Sequence, residues 1–243
     1  MFKKTLLYIF LLCSLGFTAC KKEDVANDKD YKTLGTAAND FLSSSAYSSL
    51  LLEIDYMPGY APDATSVANL VAFLNTFIKK PGGITISQKQ IAASGKSSLT
   101  LEEIVKIEKT YRSVFTSGSV LAAHILVVDA DYSNPDILAN SYWNTSTCLF
   151  GKTIYNNSGS VGQITRTQLL TILLEHEFGH LLGLVNQGSP MQTPHRDPDN
   201  GAHCTSSTCL MYFSIETADA GNMNQVPVLD TNCMADLKAN GGK

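Results

Sequence analysis

The stretch TRTQLLTILLEHEFGHLLG, residues 165–183, decides the fold of this chain. Leucine, isoleucine and phenylalanine recur along it at helical spacing and leave almost no polar face, which predicts a largely buried helix. Thr165 followed by Gln168 is a capping-box pattern and predicts where the helix begins. Gly183 is placed to end the helix in a left-handed conformation.

Two histidines and two glutamates lie in the middle of this apolar helix, among them His176, Glu177 and His180. Residues four apart share a helix face, so both histidines can direct a ring nitrogen at one zinc ion. Zinc lowers the pKa of a bound water towards roughly 7, and Glu177 is placed to accept its proton as general base. Buried histidine and glutamate are costly unless paired or metal-bound. The pattern therefore indicates a catalytic metal site.

A catalytic zinc needs a third protein ligand. The pattern His-Glu-x-x-His-x-x-Gly, which ends at Gly183, resembles the metzincin zinc peptidases. The usual third histidine of that family would stand at position 186, where this chain has Asn186. On this point the sequence departs from the family pattern.

The segment that begins at His203 restores the resemblance. His203 is followed by Cys204, Cys209 and Met211 at a spacing similar to that of the archaemetzincins. The resemblance implies that His203 is the third zinc ligand and that Met211 forms a tight turn beneath the metal. Residues 186–202 then form an insertion between the glycine and the third ligand.

Other residues compete for the third ligand position. His195 is the main rival to His203, and a gluzincin-like Glu216 or Asp219 is a more distant alternative. His124 stands in an apolar strand and is interpreted as a core histidine with a hydrogen-bond partner.

Strand and helix patterns alternate before the metal-binding helix. We predict an α/β (α+β) fold of the metzincin-like zincin type, with a mixed twisted sheet, two long helices and a small C-terminal subdomain that holds the methionine turn. Polar residues in the last strand region favour an edge strand, along which a peptide substrate could lie antiparallel. The predicted strands are 50–57, 84–87, 120–130 and one within 142–155, and the predicted helices are 66–80 and 99–115, the latter with a Thr100–Glu103 capping box.

The beginning of the chain resembles a bacterial lipoprotein signal. Lys3 and Lys4 precede an apolar run too short to span a bilayer, and small residues then lead to Cys20 as the candidate lipidated residue. An ordinary signal peptide with a chance cysteine is the alternative. The predicted organisation is a signal peptide over 1–19, a tether over 20–45 with one helical turn near 37–42, and a catalytic domain over 46–243, divided into an upper part 46–183 and a lower part 184–243.

Four cysteines fall in the expected catalytic domain. An even number in an exported chain indicates two disulfides, and we favour Cys204–Cys209 and Cys148–Cys233. A structural zinc held by all four cysteines is the alternative.

Composition and motifs together define the expected function. The chain has a net charge of −4 and no basic cluster, which excludes a nucleic-acid partner. We expect a monomeric zinc endopeptidase or aminopeptidase that hydrolyses peptides or proteins and is exported. Cys20 would anchor it to a bacterial membrane, either the outer membrane or the cell surface. The alternative is a non-catalytic zinc-containing surface lipoprotein, against which the intact Glu177 argues.

Overall fold

The computed structural model describes residues 29–223 and 225–243. Helices and strands are interspersed in the first part of the chain, four strands then follow one another, and helices, turns and loops come after the last strand. The strands are β1 Ser49–Tyr56, β2 Ile84–Gln90, β3 Ser98–Leu99, β4 Val120–Val128, β5 Asp131–Tyr132, β6 Ala139–Trp143 and β7 Ser146–Phe150. The helices are α1 Ala38–Leu42, α2 Ala64–Phe77, α3 Leu101–Tyr111, α4 Gly151–Asn156, α5 Arg166–Leu181 and α6 Thr231–Ala239, with 3-10 turns at Phe213–Glu216 and Ala218–Asn222.

Five of the strands form one mixed sheet in the order β2-β1-β4-β7-β6. The first four run parallel to one another, and β6 runs antiparallel to β7. Strand β4 lies at the centre of the sheet and is buried along almost its whole length, which accounts for its nearly continuous apolar sequence. The predicted α/β fold class with a mixed sheet is confirmed.

The edge of the sheet differs from the prediction in one respect. The edge strand is β6, whereas β7 lies between β4 and β6 and is fully buried. The polar residues of β7 suggested solvent contact, but they bond within the protein: Ser146, for example, donates to Glu108 at 2.7 Å. Residues 151–156 form a helix. The strand predicted within 142–155 is therefore present as β7, but its predicted edge position was wrong, because β6 covers it.

The two faces of the sheet carry different layers. Alternate residues of a strand point to opposite faces. One set from β4 packs with α2 and α5, and the other packs with α3. The first set is Leu121, Ala123, Ile125 and Val127, and the second includes Leu126 and Val128. Helix α5 thus packs against both the sheet and α2, and its side chains are buried from Leu169 to the end of the helix.

Both predicted capping boxes are present. The hydroxyl of Thr100 accepts from the N–H of Glu103 at 3.3 Å, and the carboxylate of Glu103 accepts from the N–H of Thr100 at 2.9 Å. Thr165 and Gln168 make the same exchange, at 3.2 Å in both directions. These reciprocal bonds satisfy backbone N–H groups that a helix start leaves without partners.

The helix α3 ends earlier than its sequence pattern predicts. It stops at Tyr111 instead of continuing to Phe115. The next side chain, Arg112, turns inward and donates to the buried carboxylate of Glu108 at 2.8 Å and to the Thr145 hydroxyl at 3.2 Å. A buried charge needs such partners, and meeting that need redirects the chain.

Part of the expected tether is packed into the domain. Asp30 is buried, accepts from the N–H of Thr116 at 2.9 Å and lies 3.5 Å from the Arg112 guanidinium. Phe41 and Leu42, on the predicted helical turn, are completely buried. The prediction of a solvated tether is therefore wrong for residues 29–45, because their apolar and charged side chains have partners in the core. The signal region and Cys20 lie outside the described residues. Among the residues that the structure describes, no helix is long and apolar enough to cross a bilayer.

Candidate metal centre

The helix α5 carries the sequence-predicted site residues through the centre of the domain. Every residue from Leu169 to Leu181 is buried, and His176 and Glu177 are completely so. The ring of Phe178 meets Phe41 edge-on at 6.2 Å. Packing on all sides holds this helix rigidly, so the spacing of its polar residues becomes a fixed geometry.

Three histidines meet at the C-terminal end of α5. His176 and His180 place their Nε2 atoms 3.1 Å apart. The ring of His203, from the long loop after the helix, lies 5.3 Å from the ring of His176 and 5.1 Å from that of His180. One nitrogen of each histidine and one carboxylate oxygen of Glu216 all lie within 4.8 Å of one another. The structure therefore brings His203 to the helix pair and sets Glu216 beside them.

Backbone carbonyls fix two of the imidazoles. The Nδ1 atom of His176 lies 2.7 Å from the carbonyl oxygen of Leu210, and that of His203 lies 2.6 Å from the carbonyl oxygen of Asn200. A carbonyl only accepts, so both Nδ1 atoms carry a proton, and in the neutral form of each ring the Nε2 atom keeps a lone pair. This is the tautomer in which histidine binds a metal through Nε2.

Burial keeps the two helix histidines neutral. It lowers the pKa of His176 to about 4, with a contribution from His203, and lowers the pKa of His180 well below its usual value. Burial acts on His203 in the same direction, but the Glu216 carboxylate, 3.7 Å from its Nε2 atom, raises the pKa of His203 above its usual value. Two neutral imidazoles, a third that gives up its proton when a metal binds, and one carboxylate form a donor set that suits a divalent cation.

Glu177 has one anchored and one free carboxylate oxygen. Its Oε2 atom accepts a hydrogen bond from the Ser141 hydroxyl at 2.6 Å and lies 3.5 Å from the Thr147 hydroxyl. Its Oε1 atom is buried and has no hydrogen-bond partner among the described residues. Burial, helped by the charge of Glu216, raises the pKa of Glu177 to about 8. The free oxygen can therefore exchange a proton near neutral pH.

The turn at Met211 passes directly against α5. Met211 is completely buried, and a Cβ atom added at Gly179 would lie 2.2 Å from its sulfur. The adjacent carbonyl of Leu210 is the one that holds His176. Gly183, just after the helix, has a φ of +75°, and a side chain there would meet Ser189 and neighbouring backbone. Glycines thus permit both the close turn and the sharp exit of the chain.

A second cluster of possible metal ligands contains the rival histidine. Ligand atoms of His195, Cys204, Asp230 and Cys233 all lie within 4.8 Å of one another. The Nδ1 atom of His195 is 3.3 Å from the sulfur of Cys204 and 4.0 Å from that of Cys233. The sulfur of Cys209 is 3.7 Å from that of Cys233. His195 therefore belongs to this cluster and not to the three-histidine site.

This geometry corrects the predicted disulfides. The four cysteines of the described residues are all free, so neither the Cys204–Cys209 nor the Cys148–Cys233 bridge is present. Cys148 packs on the α3 side of the sheet, whereas Cys233 belongs to the core on the α5 side. The sheet separates these two residues, which rules out their bridge and equally a four-cysteine metal site. The even number of cysteines suggested two pairs. In the structure three of the cysteines, Cys204, Cys209 and Cys233, lie together with His195, and Cys148 lies apart from them.

Hydrogen bonds prepare the second cluster for a metal. The Nε2 atom of His195 lies 2.8 Å from a carboxylate oxygen of Asp236, which turns the Nδ1 lone pair towards the thiols. The sulfur of Cys209 accepts from the N–H groups of Met211 and Asp230, each at 3.4 Å. A hydrogen bond from the Cys233 thiol, helped by these N–H groups, lowers the pKa of Cys209 to about 7, although burial opposes it. A thiol that ionises near neutrality is a good ligand for a soft divalent cation.

The remaining candidates lie elsewhere. Asp219 is exposed on a 3-10 turn. His124 is buried in β4, with its Nε2 atom 3.1 Å from a carboxylate oxygen of Asp55 and its Nδ1 atom without a hydrogen-bond partner among the described residues. It is a core histidine with one partner.

Sequence reasoning missed two residues that contact the site residues. Ser141 reaches Glu177 from 36 positions earlier in the chain. Asp236 reaches His195 from a helix near the C-terminus. No local pattern marks either residue, because both contacts depend on how distant elements pack. A prediction that β6 pairs with β7 would have placed Ser141 opposite Thr147 and so near Glu177.

The mixed sheet, the buried helix with its histidines and the turn beneath it define a metzincin-like fold. Among solved structures, archaemetzincin from Methanopyrus kandleri is similar, with a TM-score of 0.52 and 13% identity over 79% of this chain and 96% of that one. Metalloproteinase-II from Bacteroides fragilis gives a TM-score of 0.46 and 13% identity over 90% of this chain and 58% of its own length. No family model matches the sequence, and no curated protein matches it.

Proposed function

We propose that this protein is a zinc-dependent peptidase in which His176, His180 and His203 hold the metal and Glu177 is the general base. The observation that carries the proposal is the convergence of three ring nitrogens next to a buried glutamate with one free oxygen. When bound, zinc supplies a Lewis acid that activates water and polarises the peptide carbonyl.

The residues present fit a zinc ion. The Nε2 atom of His203 is buried with no hydrogen-bond partner among the described residues, and the Nε2 atoms of His176 and His180 face each other. Leaving the His203 atom without a partner costs about 1–3 kcal/mol. A cation bound by all three nitrogens removes that cost and leaves a position for substrate, as catalytic zinc sites require.

The chain's own groups then carry the proton. Glu177 takes a proton from the attacking water on Oε1 and delivers it to the nitrogen of the leaving amine. The site thereby hydrolyses a peptide bond with one carboxylate that acts first as base and then as acid. Both an endopeptidase and an aminopeptidase use this sequence of steps.

We infer that an extended peptide or protein substrate binds along β6. This strand is one of the two edge strands of the sheet and contains Ser141, the hydrogen-bond partner of Glu177. Backbone pairing gives such binding without sequence preference. Substrate peptides N-methylated near the cleaved bond should therefore show a raised KM, whereas peptides methylated several residues away should not.

We also propose that His195, Cys204, Cys209 and Cys233 hold a second, structural zinc. Three thiols and one imidazole are a common closed donor set for structural zinc. The site would fix the Met211 turn, because the N–H of Cys204 donates to the carbonyl of Met211 at 2.7 Å. The expected total is two zinc ions per chain.

The anchor at Cys20 stays a proposal of the sequence. The lipoprotein pattern supports export, acylation of Cys20 and attachment to a bacterial membrane. That the protein is a monomer also stays a proposal.

A non-catalytic zinc protein is the second candidate function, and the position of Glu216 favours it. This carboxylate lies close enough to the histidines to serve as a fourth ligand and close the metal site. If Glu216 closes the site, Glu216→Ala should create or raise hydrolysis. If Glu216 does not bind the metal and the wild type is an active peptidase, Glu216→Ala should leave the rate of peptide hydrolysis unchanged or lower it.

The experiment that tests the proposal is peptide-library cleavage by the purified protein before chelation, after chelation and after zinc is added back. Cleavage that disappears with the metal and returns with zinc supports the peptidase. Cleavage that survives complete removal of metal contradicts it.

A further inference from the structure

Ser141 and Thr147 are a cross-strand pair on the face of the sheet that meets α5. They lie directly opposite each other in the β6–β7 register, so their side chains project from the same face. Both are buried. Two hydroxyls at this depth need hydrogen-bond partners, since an unpaired buried hydroxyl is costly.

Their shared neighbour is Glu177. The Ser141 hydroxyl is 2.6 Å from Oε2 of this residue and 3.2 Å from its backbone carbonyl. The Thr147 hydroxyl is 3.5 Å from Oε2 and 3.4 Å from the carbonyl of Asn140. Ser141 makes the shorter contact and is the main donor to the carboxylate.

We propose that Ser141 is a positioning residue for Glu177, an inference that rests on the peptidase function proposed above. The terminal torsion of a glutamate is soft, so its two oxygens exchange places easily unless one is held. The Ser141 hydroxyl holds Oε2, which leaves Oε1 as the one oxygen that exchanges protons. Fixing a reacting group in this way raises the rate without changing how tightly substrate binds.

The backbone around Ser141 is built to hold that position. The pairing of β6 with β7 is irregular between Ser141 and Trp143, and such bulges re-aim side chains next to reactive sites. The turn that follows is fastened by the N-terminal segment: Asn144 accepts from the N–H of Lys32 and donates to the carbonyl of Lys29, each at 2.8 Å. Ser141 therefore stands on a rigid strand.

The test compares Ser141→Ala, Ser141→Thr and the control Ser158→Ala in the zinc-loaded full chain. Ser158 is also a buried serine, but its hydroxyl donates to the carbonyl of Ile154. We expect S141A to lower kcat by about 10- to 100-fold, the usual effect of losing such a supporting hydrogen bond, with KM and zinc content unchanged. S141T restores the hydroxyl and should recover most of the rate, and S158A should match the wild type.

A double-mutant cycle with Glu177→Asp separates positioning from a general structural role. The shorter carboxylate no longer reaches the Ser141 hydroxyl in the same way, so S141A should cost much less in this background. An equal loss in both backgrounds, or an S141A kcat within about threefold of the wild type, overturns the proposal. If S141A does not fold, Ser141→Cys, a weaker donor of similar size, replaces it in the same cycle.

Failure of the peptidase function has a different signature. In that case the wild type and Glu177→Ala have the same activity, and the cycle has no rate to compare. An active wild type with an inactive E177A establishes the function first, and the Ser141 variants then decide the role of Ser141 alone.

Discussion

The sulfur of Met211 lies so close to α5 that a Cβ atom on Gly179 would stand only 2.2 Å from it. Gly179 is the glycine between Glu177 and His180, and the Met211 turn also presents the carbonyl that fixes His176. The absence of a side chain at position 179 thus lets the turn support the metal ligands from below. This relationship connects the helix sequence to the distant methionine.

Gly179→Ala should destabilise the protein, although alanine is ordinarily the better helix former by about 1 kcal/mol. We expect a loss of about 1–3 kcal/mol in the free energy of unfolding, because the new methyl group overpacks the contact. Denaturant unfolding measures the change. Adding Met211→Ala to the same chain removes the clashing sulfur, so the double variant should be less destabilised than the sum of the two single variants. Additive losses would contradict the assigned contact.

His203→Ala and His195→Ala should remove different metal ions. His203→Ala takes away a ligand of the three-histidine site, so cleavage and one zinc should be lost while the other zinc stays bound. His195→Ala should lose the zinc of the cysteine cluster and unfold more easily, since structural zinc contributes directly to folding. Elemental analysis and thermal unfolding of the two variants give the answer. Loss of the same zinc from both variants would show that the two clusters are not separate sites.

Glu175 should make stability depend on pH. Its carboxyl lines an apolar groove of about 580 Å³ beside Phe73, Phe77 and Met234, and burial raises the pKa of Glu175 from 4.5 to about 7. Between these values the folded protein binds the proton more tightly than the unfolded chain does. Stability from this group is therefore present below about pH 4.5 and is lost as pH rises to about 7.

The measurement for Glu175 is the free energy of unfolding of Glu175→Gln relative to the wild type at pH 5 and pH 8. The free energy of unfolding of E175Q, relative to that of the wild type, should be higher at pH 8 than at pH 5. Glu102→Gln, which removes the same charge from an exposed position, corrects for the general effect of lost charge. An E175Q difference that does not change with pH would contradict the buried environment of Glu175.

Cys20→Ser should release the protein from membranes. Acylation of Cys20 would provide the hydrophobic anchor, and serine cannot accept the same thioether-linked lipid. Expressed in a bacterial host, the wild type should fractionate with membranes and incorporate a labelled fatty acid, whereas C20S should do neither. Cys13→Ser, which changes a cysteine within the apolar run, is the matched control. A wild type that is neither acylated nor membrane-bound would point to an ordinary signal peptide, and equal membrane attachment of C20S and the wild type would show that Cys20 is not the anchor.

The helix with its histidines was predictable because everything that defines it is local. The capping residues of α5, its apolar surface and the four-residue spacing of His176 and His180 lie within one short segment. Spacing to Met211 also pointed to His203, and the structure places His203 with the helix pair. The strongly apolar β4 was predictable for the same reason.

Non-local contacts account for the errors. The polar strand β7 resembled an edge strand because its partners, such as Glu108 and Arg112, lie far away in the chain. The cysteines suggested disulfides because nothing near them indicates that His195 joins their cluster. Residues 29–45 resembled a tether because the burial of Asp30 depends on Arg112. In each case a polar residue was judged by its neighbours in sequence, whereas its partner comes from another element.

The most direct measurement of the central claim is zinc content and peptide cleavage, made together on the wild-type protein and on Glu177→Ala. Glu177 is proposed to carry protons and not to bind the metal, so both proteins should contain the same amount of zinc. Only the wild type should cleave peptides, and chelation should abolish that cleavage. Equal cleavage by E177A, or a wild-type protein that binds no zinc at the three histidines, would contradict the account.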